Sequence, residues 1–319
     1  MVLEFSTIEN ARDLLRRYLP LTRLVAAPSL SRATGAKVYL KLEIEMPTGS
    51  FKPRGAIYAL SVNLGRRPIR EVIATSTGNH GAAVAYAARL FNLPARIFLP
   101  ENPNPVKRAR IADLGATIVE KGIDLAEGFQ LASAYARRDG VYFLNDATDP
   151  DLPAGPATIA CEILEQLPEV DTIYVPIGDT ALIRGVATAA KHLGPKMKII
   201  GVQAEQAPAY CLSWKSGQAV STESCDTIAD GLATRTPDPA NVRAIGELVD
   251  DICLVSEQQM LAAIRHLLFE EHVLTEPSGA ATTAALLHHA QPAGKNVVLI
   301  VSGANIPQDV LRRAVCGER

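Results

Sequence analysis

Short runs of β-branched and aliphatic residues alternate with longer Ala- and Leu-rich segments along almost the whole chain, a pattern that predicts an α/β protein with parallel sheets. Strands are predicted at Val38 to Leu42, Glu71 to Ala74, Arg96 to Leu99, Thr117 to Glu120, Val141 to Leu144, Thr172 to Val175, Lys198 to Gln203, Ile252 to Val255 and Val297 to Val301. Between them, helical patterns run over Ile57 to Leu64, Ala82 to Phe91, Pro105 to Leu114, Leu125 to Arg138, Thr158 to Leu167, Leu182 to His192, Gln258 to Glu271 and Gly279 to His289. So many strands exceed one small sheet. No linker rich in Gly, Ser or charge separates them, and no repeat of solenoid length occurs, so any domain division is packed and crossed more than once. Asp149 to Pro153 and Gly65 to Arg70 are candidate crossings. Gln206 to Asn241, which holds the single tryptophan, Trp214, is the least regular stretch: a lid, a subunit contact or loop.

Composition narrows the class. The 319 residues are 48% hydrophobic and 21% charged, enough apolar content for a sizeable core, and the length suggests two domains. With 32 basic against 34 acidic residues and no long like-charge run, there is no footprint for nucleic acid or an anionic membrane, and small neutral or zwitterionic partners fit better. Cys161, Cys211, Cys225, Cys253 and Cys316 are odd in number and lack CxxC spacing, which points to neither a disulfide framework nor a zinc site. The first ten residues contain Glu4 and Glu9 and do not read as a signal peptide, and no apolar stretch approaches a membrane span. A cytoplasmic protein is the expectation.

The polar connections carry the candidate chemistry. Lys52, in Pro47-Thr48-Gly49-Ser50-Phe51-Lys52-Pro53-Arg54-Gly55-Ala56, lies between a strand and a helix and is either a solvated loop lysine or a partly desolvated amine able to condense with an aldehyde. Thr75-Ser76-Thr77-Gly78-Asn79-His80-Gly81 opens another helix. It offers an anion cradle suited to a carboxylate, or an ordinary cap from Ser76, Thr77 or Asn79. His80 reads as a supporting residue rather than a catalyst. In Gly178-Asp179-Thr180-Ala181-Leu182 a phosphate can bind on the same grounds, with Thr180 as a donor, although Asp179 would repel it unless turned away as a cap. Glu276-Pro277-Ser278-Gly279 and Ser302-Gly303-Ala304-Asn305 add two more polar strand ends, where open α/β sheets bind ligands. The GxGxxG and P-loop fingerprints are missing, which disfavours a nucleotide-binding protein.

In order and spacing, Ser50-Phe51-Lys52-Pro53-Arg54-Gly55-Ala56, Ser76-Thr77-Gly78-Asn79-His80-Gly81, Glu276-Pro277-Ser278-Gly279 and Ser302-Gly303-Ala304-Asn305 resemble the fold-type II pyridoxal-phosphate enzymes, and within them the threonine/serine dehydratase and serine racemase family, from about Leu21 to Ile306. The resemblance implies a tryptophan synthase β-subunit-like architecture of two open parallel-sheet domains. Residues 1–70 and 148–319 would form a large cofactor-binding domain and 71–147 a small mobile one. Lys52 would hold pyridoxal 5'-phosphate and, once displaced by substrate, act as the base at Cα. Phe51 would pack near the ring, Asn79 would meet the 3-hydroxyl, and Ser302 would face the pyridine nitrogen, with Glu276 close by. Gly178, Asp179, Thr180, Ala181 and Leu182 would receive the phosphate. Ser76, Thr77, Gly78, Asn79 and His80 would bind the substrate. The implied activity is an ammonia-lyase converting threonine, serine or a bulkier 3-hydroxy amino acid to a 2-oxo acid and ammonia, in a homodimer.

Three departures qualify that expectation. The phosphate loop is poor in glycine. Gln203 and Ala209 stand where relatives that bind a divalent cation have acidic residues, so no metal is expected. Pro156 replaces the glutamine usual in dehydratases. Thr77 has the hydroxyl that a racemase would use on the opposite face of Cα, which keeps racemisation as an alternative. A threonine-synthase-like replacement enzyme and a catalytically silent binding protein are the others.

Overall fold

The computed structural model describes residues 3–317 except 77, 102, 104, 123–124 and 289–293. Its strands are β1 (Leu24–Ala26), β2 (Lys37–Leu42), β3 (Glu71–Thr75), β4 (Ala95–Leu99), β5 (Thr117–Glu120), β6 (Val141–Phe143), β7 (Thr172–Pro176), β8 (Lys198–Ala204), β9 (Asp251–Val255) and β10 (Asn296–Val301). Two sheets result, a six-stranded one in the order β1-β2-β10-β7-β8-β9 and a four-stranded one in the order β5-β4-β3-β6.

Period-2 alternation explains how the larger sheet is covered. On β10, Val297, Leu299 and Val301 face a core shared with helices Glu257–Glu270 and Pro277–His288. Val298 and Ile300 face the opposite core, built on helices Ala154–Gln166 and Ala181–Leu193. With helices on both faces, the central strands read as unbroken apolar runs, and every residue of β7 is buried. In the smaller sheet Val72 and Ala74 pack on the Ala-rich helix Asn79–Leu90, while Ile73 turns to Phe98 and Ala132 on the other side. Small alanines let helix and sheet approach closely.

The larger sheet is not wholly parallel, contrary to the sequence expectation: β1 runs antiparallel to β2, with Val25 opposite Leu40. The two are joined by the seven-residue helix Pro28–Thr34 and a left-handed Gly35 at φ 74°, too short a link for a full crossover. Helices at Phe5–Leu15, Ala209–Ser216, Pro239–Leu248 and Gln308–Cys316 also lie outside the predicted set. One of them was signalled in the sequence, since Asp238 caps Pro239–Leu248 through the amides of Ala240 and Asn241. No helix among the described residues is long and apolar enough to cross a membrane.

Candidate active site

The carboxyl ends of β3, β6, β7 and β10 turn into loops that line one cavity between the two sheets, together with Lys52 at the head of helix Pro53–Arg66. It is lined by Phe51, Lys52, Ser76, Gly78, Asn79, His80, Gly178 to Leu182, Glu276 and Ser302, so the structure brings the sequence-predicted residues together. Thr77 lies outside the described residues. Ser278, from the Glu276-Pro277-Ser278-Gly279 motif, also lines the cavity, as do Asp146 and the stretch Asp230 to Thr234, which were not singled out in the sequence. Asp146 sits in a polar loop with no motif; its signal was its place just beyond β6, at the ligand-binding edge of a parallel sheet. The irregular segment from Gln206 thus contributes a wall of the cavity.

Lys52 Nζ is 3.0 Å from Asp146 Oδ2 and 5.5 Å from the centroid of the Phe51 ring. Burial raises the Asp146 carboxyl, but Lys52 and then His80 outweigh it, so the group is held below its ordinary range. The Phe51 amide donates to the Ser302 carbonyl at 3.0 Å, tying the lysine loop to the end of β10. Arg54, two residues on, is fully buried and pairs with Glu43 at 2.8 Å and Glu162 at 2.6 Å; Lys41 meets Glu162 at 2.6 Å. This polar core fixes the base of the helix that carries Lys52. Gly155 is pressed against it, since a Cβ there would lie 2.3 Å from the Arg54 backbone.

At the start of helix Asn79–Leu90, Gly78 is the N-cap, and neither Ser76 nor Asn79 caps the first turn with its side chain. Ser76 Oγ instead accepts from the Gly78 amide at 3.1 Å. The helix therefore begins three residues earlier than the apolar pattern suggested, with donors directed at the cavity. Asn79 is held on both sides, Nδ2 donating to Glu276 Oε1 and Oδ1 accepting from Asn305 Nδ2, each at 2.6 Å. His80 Nε2 donates to the Leu144 carbonyl at 2.9 Å, which leaves Nδ1 a buried acceptor with no partner among the described residues. Burial pushes its pKa down, so the ring is neutral.

The loop after β7 is built without a glycine run. Gly178 is required, because a Cβ would lie 2.2 Å from the Gly231 carbonyl oxygen. Thr180 takes the left-handed conformation, φ 69°, that glycine adopts without strain. Its Oγ1 is held by Arg184 Nε at 3.0 Å, and no described side chain caps helix Ala181–Leu193. Asp179 is not a cap either; its Oδ1 accepts from Thr234 Oγ1 at 3.1 Å. Gln203 is committed to the fold, its Oε1 accepting from the Cys211 amide at 2.9 Å.

These residues fit pyridoxal phosphate on the structure's own terms. An amine, two uncapped helix starts and the buried Ser278 Oγ and Glu276 Oε2, both without partners among the described residues, surround one cavity. A phosphorylated, hydrogen-bonding aldehyde uses each of these features.

Comparison with known proteins agrees. The chain is 35% identical over 308 residues to the L-threonine ammonia-lyase of Thermotoga maritima, covering 97% of this chain and 77% of that protein. The fold superposes on maize serine racemase with a TM-score of 0.93 at 29% identity, covering 98% and 97% of the two chains. It also superposes on the processed form of threonine deaminase isoform 2 from Solanum lycopersicum with a TM-score of 0.90 at 30% identity, covering 97% and 92%. The profile described as "Pyridoxal-phosphate dependent enzyme" matches residues 16–303, and the chain belongs to that family.

Proposed function

We propose that the chain is a pyridoxal-phosphate ammonia-lyase that removes water and then ammonia from a 3-hydroxy amino acid, with L-threonine the first substrate to test. The observation that carries this reading is the single cavity in which Lys52, an uncapped carboxylate loop and the hydroxyl of Ser302 converge. The named relatives at about 35% identity support it.

When bound, the cofactor supplies an electron sink for the pair left at Cα. Lys52 Nζ removes the Cα proton. Asp146, at hydrogen-bond distance, orients that amine between its two tasks of holding the cofactor and accepting the proton. The amides at the head of Asn79–Leu90, with Ser76, Thr77 and Asn79, grip the substrate carboxylate and set the Cα–H bond toward Lys52. Gly178 to Leu182 hold the phosphate, Phe51 packs beside the ring, and Glu276 and Asn305 fix Asn79. Ser302 would offer the pyridine nitrogen a hydroxyl rather than a carboxylate, which would leave that nitrogen largely unprotonated and favour prompt loss of the β-hydroxyl. The released enamine tautomerises and hydrolyses in water to the 2-oxo acid and ammonia. The segment around the smaller sheet, about residues 71–147, closes on the rest and excludes water during these steps.

Purified protein should absorb in the visible, and borohydride should bleach it with label on Lys52. Lys52→Ala should lose the colour and at least about 10³-fold in 2-oxo acid formation from threonine. Label on another lysine, or no oxo acid from threonine, serine and aryl-substituted 3-hydroxy amino acids, overturns the reading. Racemisation is the second reading, favoured by the likeness to maize serine racemase; chiral analysis of recovered serine tests it.

A further inference from the structure

Asp179 stands in the middle of the loop assigned above to the cofactor's phosphate. It is turned toward the Thr234 hydroxyl, and among the described residues no ion pair neutralises it. Lys52, whose charge reaches Asp179, is already engaged by Asp146. Arg184, one turn into the following helix, directs Nε to Thr180 Oγ1 at 3.0 Å and Nη2 to the Ala147 carbonyl at 3.4 Å. The backbone cannot move the carboxylate aside, because Gly178 is packed on the Gly231 carbonyl and Thr180 is locked by Arg184. A phosphate dianion entering this loop therefore meets a carboxylate with no ion-pair partner among the described residues, a repulsive contact in a low-dielectric cleft.

Resting on the reading of the cavity as a pyridoxal-phosphate site, we propose that Asp179 binds the phosphate as a neutral acid: its carboxylate takes one proton from solvent, and the resulting Oδ2 hydroxyl donates to a phosphate oxygen. The Thr234 hydroxyl keeps Oδ1 as the acceptor, which leaves Oδ2 to carry the proton. Burial first and the Asp146 carboxylate next push the group up to about 6, against the pull of Lys52, Thr234 and Arg184. Tyr210 and Cys225 also interact with Asp179; burial first, and the charge on Asp179 besides, pushes both up, so neither supplies a positive charge. Cofactor affinity is then linked to one proton and falls about tenfold per pH unit once the carboxyl ionises. In place of a run of glycines, the loop holds its phosphate with a proton.

The test compares cofactor binding by the full-length chain and by Asp179→Asn, each stripped of cofactor and titrated with pyridoxal phosphate between pH 6 and 8.5. The expected result is similar affinity at pH 6 and at least about tenfold tighter binding by the variant at pH 8.5. Calorimetry at pH 8 in buffers of different ionisation heat should find about one more proton taken up by the native chain. Pyridoxal, which lacks the phosphate, should bind both proteins equally and controls for imine chemistry at Lys52. Parallel pH profiles, or weaker binding by the variant at every pH, overturn the proposal. If Asp179→Asn does not fold, Asp179→Ser is put through the same comparison. If the native chain binds no pyridoxal phosphate at any pH, the cofactor reading itself fails, and that outcome is distinct.

Discussion

Asp146 and Asp179 line the same cavity, yet the structure sets them on opposite sides of the ordinary carboxylate range, and the difference lies in who holds Lys52. Asp146, lowered by its lysine, adds stability that is present above its unfolded value near 3.8 and is lost as pH falls toward its folded value. Asp146→Asn should lower the unfolding free energy from urea titration at pH 7 by about 1–2 kcal/mol, with the deficit shrinking on acidification below pH 4. Asp179, raised to about 6, works with the reverse sign: folding is penalised above pH 6 and the penalty vanishes as pH drops below 3.8. Asp179→Asn should therefore raise the unfolding free energy of the cofactor-free protein at pH 8 by about 1–3 kcal/mol, and leave it unchanged near pH 3.5. If both substitutions shift stability in one direction at pH 8, the assignment of Lys52 to Asp146 is wrong. Lys52, Asn79 and Ser302 were visible in the sequence because each belongs to a short motif of unusual residues. Asp146 was not, since a carboxylate in a polar loop looks solvated until the facing element is known.

Among the elements, helix Pro53–Arg66 carries the largest burden, because its first turn presents Lys52 while its second residue, Arg54, is sunk in the polar core. Glu162 answers both Arg54 and Lys41, and despite burial these two cations hold its carboxyl below the ordinary range. Glu162→Ala leaves two buried cations with one carboxylate partner, Glu43, and should cost about 3–5 kcal/mol in urea unfolding. Gly155→Ala should destabilise by several kcal/mol as well, since the added methyl meets the Arg54 backbone. Strand positions were legible nearly to the residue because buried parallel strands are continuous apolar runs. Three helix starts were read late, at Ile57 rather than Pro53, at Ala82 rather than Asn79 and at Thr158 rather than Ala154, because they are polar or contain proline and lack capping side chains. Short β1, with only three residues, gives no periodicity to detect.

At the scale of the whole molecule, the two sheets meet over the cavity, and a pair of polar contacts ties their loops together. Lys107 pairs with Asp230, and Arg110 meets Asn305. Lys107 and Arg110 belong to helix Pro105–Asp113, which follows a strand of the smaller sheet; Asp230 and Asn305 belong to stretches after β8 and β10 of the larger one. Asp230→Asn removes a half-exposed partner and should raise KM for the amino acid about fivefold with a smaller change in kcat, an effect that high salt reproduces in the native protein. An unchanged KM at low salt would show that these contacts do not govern closure. That the chain holds two sheets was legible from the number of strands. Which loops face one another across the cavity was not, because it depends on how the sheets dock, and no local pattern records that.

The helices Asn79–Leu90 and Ala181–Leu193 start at the cavity with their first amides unclaimed by described side chains. If, as proposed, the cofactor and substrate complete their opening turns, the polypeptide and its vitamin-derived partner mature together. Protein made in vitamin-starved cells should melt several degrees lower and be nicked first around residues 76–80 and 178–182, and resupply of the vitamin should reverse both.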